Sequence, residues 1–228
     1  QLQTPGQRPG GPKAISYQPY QPSMKHPAAL FILTALLLTG CAIGNKYDIR
    51  QAQAVAPFGS SSVAVGGVDE REYLKRGEIE PEYVGMTRGG YGNPFRVKTA
   101  TKRPFAEEAA GVVAASLGSR VRGPVRSYGS TAAALHALRS GGAQRLVLLR
   151  VKAWESDTLI NTSVDVDLVL EVYNAGGKLL ASSADKAYRD LGGNFASPPM
   201  HARKVVVAEL GRSLTRLMEQ TSVANALK

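Results

Sequence analysis

Two runs of strict alternation in the second half of the chain restrict its fold more than any other feature. Val147, Leu149, Val151 and Ala153 alternate with Leu148, Arg150, Lys152 and Trp154, and Val164, Val166, Leu168, Leu170 and Val172 alternate with Asp165, Asp167, Val169, Glu171 and Tyr173. A side-chain period of two puts each first set on one face of a strand, so both runs predict strands with a core face. Asn174-Ala175-Gly176-Gly177 then supplies glycines that tolerate positive φ, a hairpin connection, and Lys178 to Tyr188 returns as a third strand. An antiparallel meander is the expected centre of the fold.

The remaining elements arrange themselves around it. Ser62 to Val68 reads as an earlier strand, and a brief one is expected within Val121 to Tyr128. Pro104 opens a helix whose first turn carries Glu107 and Glu108 and whose pattern ends at Gly118. Ser130 caps a second helix, Thr131 to Arg139, closed by Gly141-Gly142. After Gly192-Gly193, Ser197 caps and Pro198 starts a final helix with Val206, Leu210, Leu214 and Leu217 as its buried stripe. The predicted class is α+β: an antiparallel sheet of about four to five strands, with two or three helices packed mainly on one face. The stretch 77–103, rich in glycine and mixed charges, is read as a loop insert, either functional or hiding a short hairpin.

Ahead of this domain stands a different kind of segment. From Met24 the chain places Lys25 and His26 before an apolar run, Ala28 to Leu38, and then Thr39, Gly40 and the only cysteine, Cys41. A basic start, a short apolar core and small residues before a break are the layout of an export signal. As a helix the run from Ala28 to Leu38 reaches about 16 Å, roughly half of a bilayer's hydrocarbon core, too short for a permanent span. Leu38-Thr39-Gly40-Cys41 resembles the lipobox of bacterial lipoproteins. The resemblance implies cleavage between Gly40 and Cys41 and lipidation of Cys41, and several acyl chains would fasten the domain to a membrane. Residues 24–40 are then a signal peptide, 41–61 a tether and 62–228 a single domain. Residues 1–23, rich in Gln, Pro and Gly, read as a non-native or disordered leader without function.

Composition bounds the partners. Of 28 basic residues only Arg8, Lys13 and Lys25 precede Cys41, and none of the 18 acids does, which leaves a net charge of +7 on the mature chain. On an exported domain the anionic partners at hand are lipid headgroups, lipopolysaccharide phosphates or an acidic protein rather than nucleic acid. With Cys41 acylated no thiol remains, so cohesion must come from packing.

The order of strands and helices, with Val63-Ala64-Val65, Val164-Asp165-Val166-Asp167-Leu168 and the Asn-Ala-Gly-Gly turn, resembles the small uncharacterised lipoproteins of the YajG type. More broadly it resembles envelope lipoproteins whose domain is similar to the N-terminal domain of TolB. The resemblance implies a compartment and a fold, not a chemistry. The residues themselves nominate no catalytic group, metal ligand or cofactor. His136 and His201 lack a Cys or His at ligand spacing, and no Gly-x-Ser-x-Gly elbow occurs. Asp165 and Asp167 share a strand face, a geometry suited to a cation or an acid/base pair, but Arg150 and Lys152 on the preceding strand favour cross-strand neutralisation. The loop around Arg88, Tyr91, Phe95 and Arg96 does not open into a helix as a phosphate-binding loop should, and export argues against an RNA-binding segment, which leaves a partner-binding surface with aromatic anchors or a loop folded back on its own sheet. The expected function is a non-enzymatic, lipid-anchored accessory or assembly factor of the cell envelope, acting through envelope proteins. Ala42, where enteric-type sorting signals carry Asp, implies the inner leaflet of the outer membrane, facing the periplasm. Small-ligand or lipid handling within a transport system is the alternative, and an envelope hydrolase a third; the sequence names no small ligand.

Overall fold

The computed structural model describes Gln1 and residues 45–228; Gly40 and Cys41, with the leader and the signal segment, lie outside the described residues. Gly44–Lys228 forms one compact unit. Its strands are β1 (Lys46–Tyr47), β2 (Val63–Asp69), β3 (Tyr83–Arg88), β4 (Pro94–Thr99), β5 (Arg126–Tyr128), β6 (Arg145–Thr158), β7 (Asn161–Asn174) and β8 (Leu179–Gly193). Its helices are α1 (Glu72–Lys75), α2 (Phe105–Leu117), α3 (Thr131–Arg139), α4 (Pro198–Glu219) and α5 (Thr221–Ala226).

The expected four-to-five-stranded antiparallel sheet is corrected to a mixed sheet of eight strands. β6, β7 and β8 do form the antiparallel meander, and Gly177 at φ +83° turns the second hairpin, its N–H donating to the Asn174 carbonyl at 2.9 Å. The other edge of β6 is shared. Residues 145–151 pair with β2 in parallel, and 156–158 pair with β3 in parallel. β5 lies parallel on the far side of β2, while β4 hairpins off β3 and carries β1 at its outer edge.

Parallel pairing follows from what covers the sheet. Val63, Val65, Val147 and Leu149 face a large core under α2, α4 and α5. Ala64, Val68, Leu146 and Leu148 face a second, smaller core under α3. Strands buried on both faces are apolar throughout, the signature of a parallel sheet with helices on either side. Helices therefore occupy both faces, not mainly one.

Where β6 changes partner, its register slips. A bulge between Val151 and Ala153 turns Trp154 onto the core face that strict alternation assigned to Ala153. Trp154 is fully buried, and its ring stacks on Phe105 at 5.4 Å. Ser130 Oγ accepts from the Ala133 N–H at 3.2 Å and Val206, Leu210, Leu214 and Leu217 are all buried, as expected, whereas the Ser197 side chain makes no capping hydrogen bond and the short helices α1 and α5 were not expected.

Candidate functional site

The segment expected to be a tether is bound to the body of the domain from residue 45 onward. Lys46 and Tyr47 pair with Lys98 and Thr99 of β4, and the Ala100 N–H donates to the Tyr47 carbonyl at 2.9 Å. Tyr47 and Ile49 enter the main core, where burial pushes the Tyr47 phenol up. Further along, the Val55 N–H donates to Thr215 Oγ1 at 3.0 Å, Arg120 Nη2 donates to the Pro57 carbonyl at 2.8 Å, and Ser61 Oγ donates to the Lys228 carbonyl at 2.8 Å. The buried side chains of Tyr47, Ile49 and Ala52 and a series of contacts to the backbone turn a polar stretch into a strap. At most four residues, 42–45, are left between Cys41 and the first strand.

The insert 77–103 holds the β3–β4 hairpin, whose tip carries the sequence-selected loop. Gly89 to Asn93 make the turn, with the Gly89 N–H donating to the Asn93 carbonyl at 2.9 Å and the Gly92 N–H to the Gly89 carbonyl at 2.8 Å. Tyr91 is 99% exposed and Phe95 46% exposed. The two arginines brace the hairpin rather than project from it. Arg88 makes a forked pair with Asp157 of β6, its Nη2 at 2.6 Å, and this carboxylate raises the guanidinium pKa further. Arg96 reaches Glu80 at 3.2 Å and the Glu78 carbonyl at 3.0 Å. The loop is thus ordered by its own ion pairs and leaves its aromatics in solvent.

The expected neutralisation of Asp165 and Asp167 by Arg150 and Lys152 does not form, because the bulge shifts the register: Asp167 stands opposite Ala153 and Asp165 opposite Glu155. Asp167 pairs instead with Lys186 of β8 at 3.1 Å, and Arg150 bridges Glu70 and Glu171 at 2.8 and 2.9 Å. His136 and His201 lie on α3 and α4, against opposite faces of the sheet, and do not meet. Among the described residues no group of three or more His, Cys, Asp or Glu side chains could hold a metal, and no helix is long and apolar enough to cross a membrane.

Two features were not read from the sequence. Glu108 of α2, 4% exposed, lines a cleft of about 600 Å³ with Arg50, Thr101 and Arg103; burial pushes its carboxyl up, although the Thr101 hydroxyl donates to it. A second cleft, about 490 Å³, runs between Gln51 and Gln53 of the strap and the outer face of α4. No local signal could have revealed either, since each joins segments far apart in sequence.

No protein-family model matches the chain, and no curated protein matches it. Among solved structures it is similar to several proteins. One is protein XCC0632 from Xanthomonas campestris, of family-model DUF330, at 12% identity over 76% of this chain and 93% of that one, with a TM-score of 0.44. Another is a PelC dodecamer from Paraburkholderia phytofirmans, at 18% identity over 75% of this chain and 94% of that one, with a TM-score of 0.36. A third is an uncharacterised protein at 9% identity, over 75% and 99%, with a TM-score of 0.41. With every score below 0.5, no family and no activity is carried over from these likenesses.

Proposed function

We propose that this chain is a lipid-anchored lipoprotein of the cell envelope, held through Cys41 at the inner leaflet of the outer membrane, and that it works without catalysis as an accessory or assembly factor. The anchor is read from the signal layout and the lipobox of residues 24–41. The observation that carries the contact role is the β3–β4 tip, where Tyr91 stands in solvent on a hairpin braced by Arg88–Asp157 and Arg96–Glu80. An exposed aromatic on a pre-ordered loop loses little conformational freedom when it is buried by a partner, which is what an anchor residue requires.

Short spacing adds to this reading. Five peptide steps separate Cys41 from Lys46, so an acylated cysteine would keep the domain edge within about 18 Å of the lipid interface. A leash of that length limits which envelope proteins the tip can reach.

Lipid handling requires a large apolar groove between sheet and helices. That interface is filled by Trp154, Leu168, Leu210 and Leu214, each fully buried, which counts against it.

The test is crosslinking in native membranes followed by mass spectrometry. Tyr91→Ala with Phe95→Ala is expected to leave the melting temperature unchanged while removing the crosslinked partner, and Cys41→Ser is expected to remove it by displacing the protein. A double variant that keeps the full crosslinking pattern would contradict the contact role.

A further inference from the structure

The outer face of α4 carries an ordered stripe that the contact role leaves unused. Met200, Arg203, Lys204, Val207, Ala208 and Arg212 follow each other at helical spacing and line one wall of the 490 Å³ cleft; Gln51 and Gln53 of the strap form the other. Three of these side chains are cationic and none of the lining residues is acidic. Arg212 is paired with Glu209 at 2.8 Å, whereas Arg203 and Lys204 take part in no ion pair among the described residues and are exposed. Apolar groups lie beside the charges: Val207 in the floor, and Met200 at 72% exposure. The cleft also adjoins the strand nearest the anchor. α4 packs against β1, and Gln53 lies directly on α4 at Gly211.

From this arrangement we propose that the cleft seats the phosphate headgroup of an anionic phospholipid in the leaflet that holds the anchor. Arg203 and Lys204 bind the phosphate, while Met200 lies toward the acyl boundary. Cations with an adjacent exposed apolar side chain are the composition of an interfacial contact. The occupant follows from the charge and the place. A bilayer within about 18 Å of Lys46 presents phosphates to whichever part of the domain faces it, and a negative surface attracts basic side chains within a Debye length of about 10 Å. The acyl chains would then set the distance and the cleft the orientation, turning one face of the domain to the lipid. The inference rests on the lipid-anchored reading, but its test does not.

Residues 44–228, the compact unit that contains both cores, are sedimented without any lipid modification with vesicles of phosphatidylcholine alone or with phosphatidylglycerol added, at low salt. Binding is expected only to the anionic vesicles and is expected to weaken as salt rises. Arg203→Ala with Lys204→Ala should lower it about 25-fold, about fivefold for each basic residue. Arg122→Ala with Arg126→Ala removes the same charge from exposed positions elsewhere and should leave it unchanged. Both pairs are on the surface, so circular dichroism should be identical for all forms. Equal binding to both kinds of vesicle, an equal loss in the two double variants, or full binding by the Arg203/Lys204 variant would overturn the proposal. Whether Cys41 is acylated has no bearing on any of these results, so the two readings fail separately.

Discussion

Asp69→Ala is expected to lower the unfolding free energy by about 4 kcal/mol, measured by urea denaturation, because it strands a buried cation. Arg71 is 0% exposed; its Nε and Nη2 each donate to the Asp69 carboxylate at 2.8 Å, and its Nη1 donates to the Tyr83 carbonyl at 2.7 Å. The guanidinium also lies 5.3 Å from the Phe105 ring centroid and 5.6 Å from that of Tyr73. One side chain thus ties the end of β2 to the start of β3 and to the first turn of α2. Without the carboxylate its charge has only carbonyl and ring dipoles for compensation, and water cannot reach it. Replacing both members, Asp69→Leu with Arg71→Met, is expected to cost less than the single change, since well-packed apolar groups need no counter-charge. A single-variant loss below about 1 kcal/mol would mean that the pair is solvated.

For Gly211→Ala, two effects act in opposite directions, so the sign of the result is informative. Alanine in a helix interior is favoured over glycine by about 1 kcal/mol. Against that, a Cβ at residue 211 would stand 2.2 Å from the Gln53 carbonyl oxygen and 2.9 Å from its carbon, and backbone cannot rotate away. Steric overlap should win, with a net loss of about 3 kcal/mol. The strap must then lift from α4, so the Val55 amide, held by Thr215, should exchange its hydrogen faster than in the parent, and proteolysis between residues 45 and 61 should accelerate. A more stable Gly211→Ala protein would show that the strap does not rest on the helix.

The strap also shows where the sequence stops being readable. Tyr47 and Ile49 are its only large core residues, and Ala52, Ala54 and Ala56 follow at period two with side chains too small to stand out as a core face; a stretch of that kind looks the same as a loose tether. Helices were legible because caps and stripes are local: Pro104, Ser130 and the Val206-to-Leu217 stripe mark three of them. Parallel pairing was not, although Val63-Ala64-Val65 followed later by Val68 is apolar on both faces, and helices alternate with β2, β5 and β6 in the chain order that parallel sheets require. The alternation of β6 and β7 and the turn at Asn174 to Gly177 indicate only the antiparallel meander, and the parallel pairings of β6 lie outside it. The bulge at Lys152 left no local trace either, and it moved Trp154 into the core and Asp165 and Asp167 away from their expected partners. At the candidate sites, Tyr91 and Phe95 stood out because glycines surround them. The cationic cleft did not, because Gln51 and Gln53 meet Arg203 and Lys204 only once the chain has folded.

Everything proposed for this protein's place in the cell depends on the chemistry of one sulfur atom. Intact-mass analysis of the protein extracted from native membranes tests it most directly. The expected result is a chain that begins at Cys41, heavier than its residues by a diacylglycerol and an amide-linked acyl group. A chain with a bare thiol, or one that still carries residues 24–40, would contradict it.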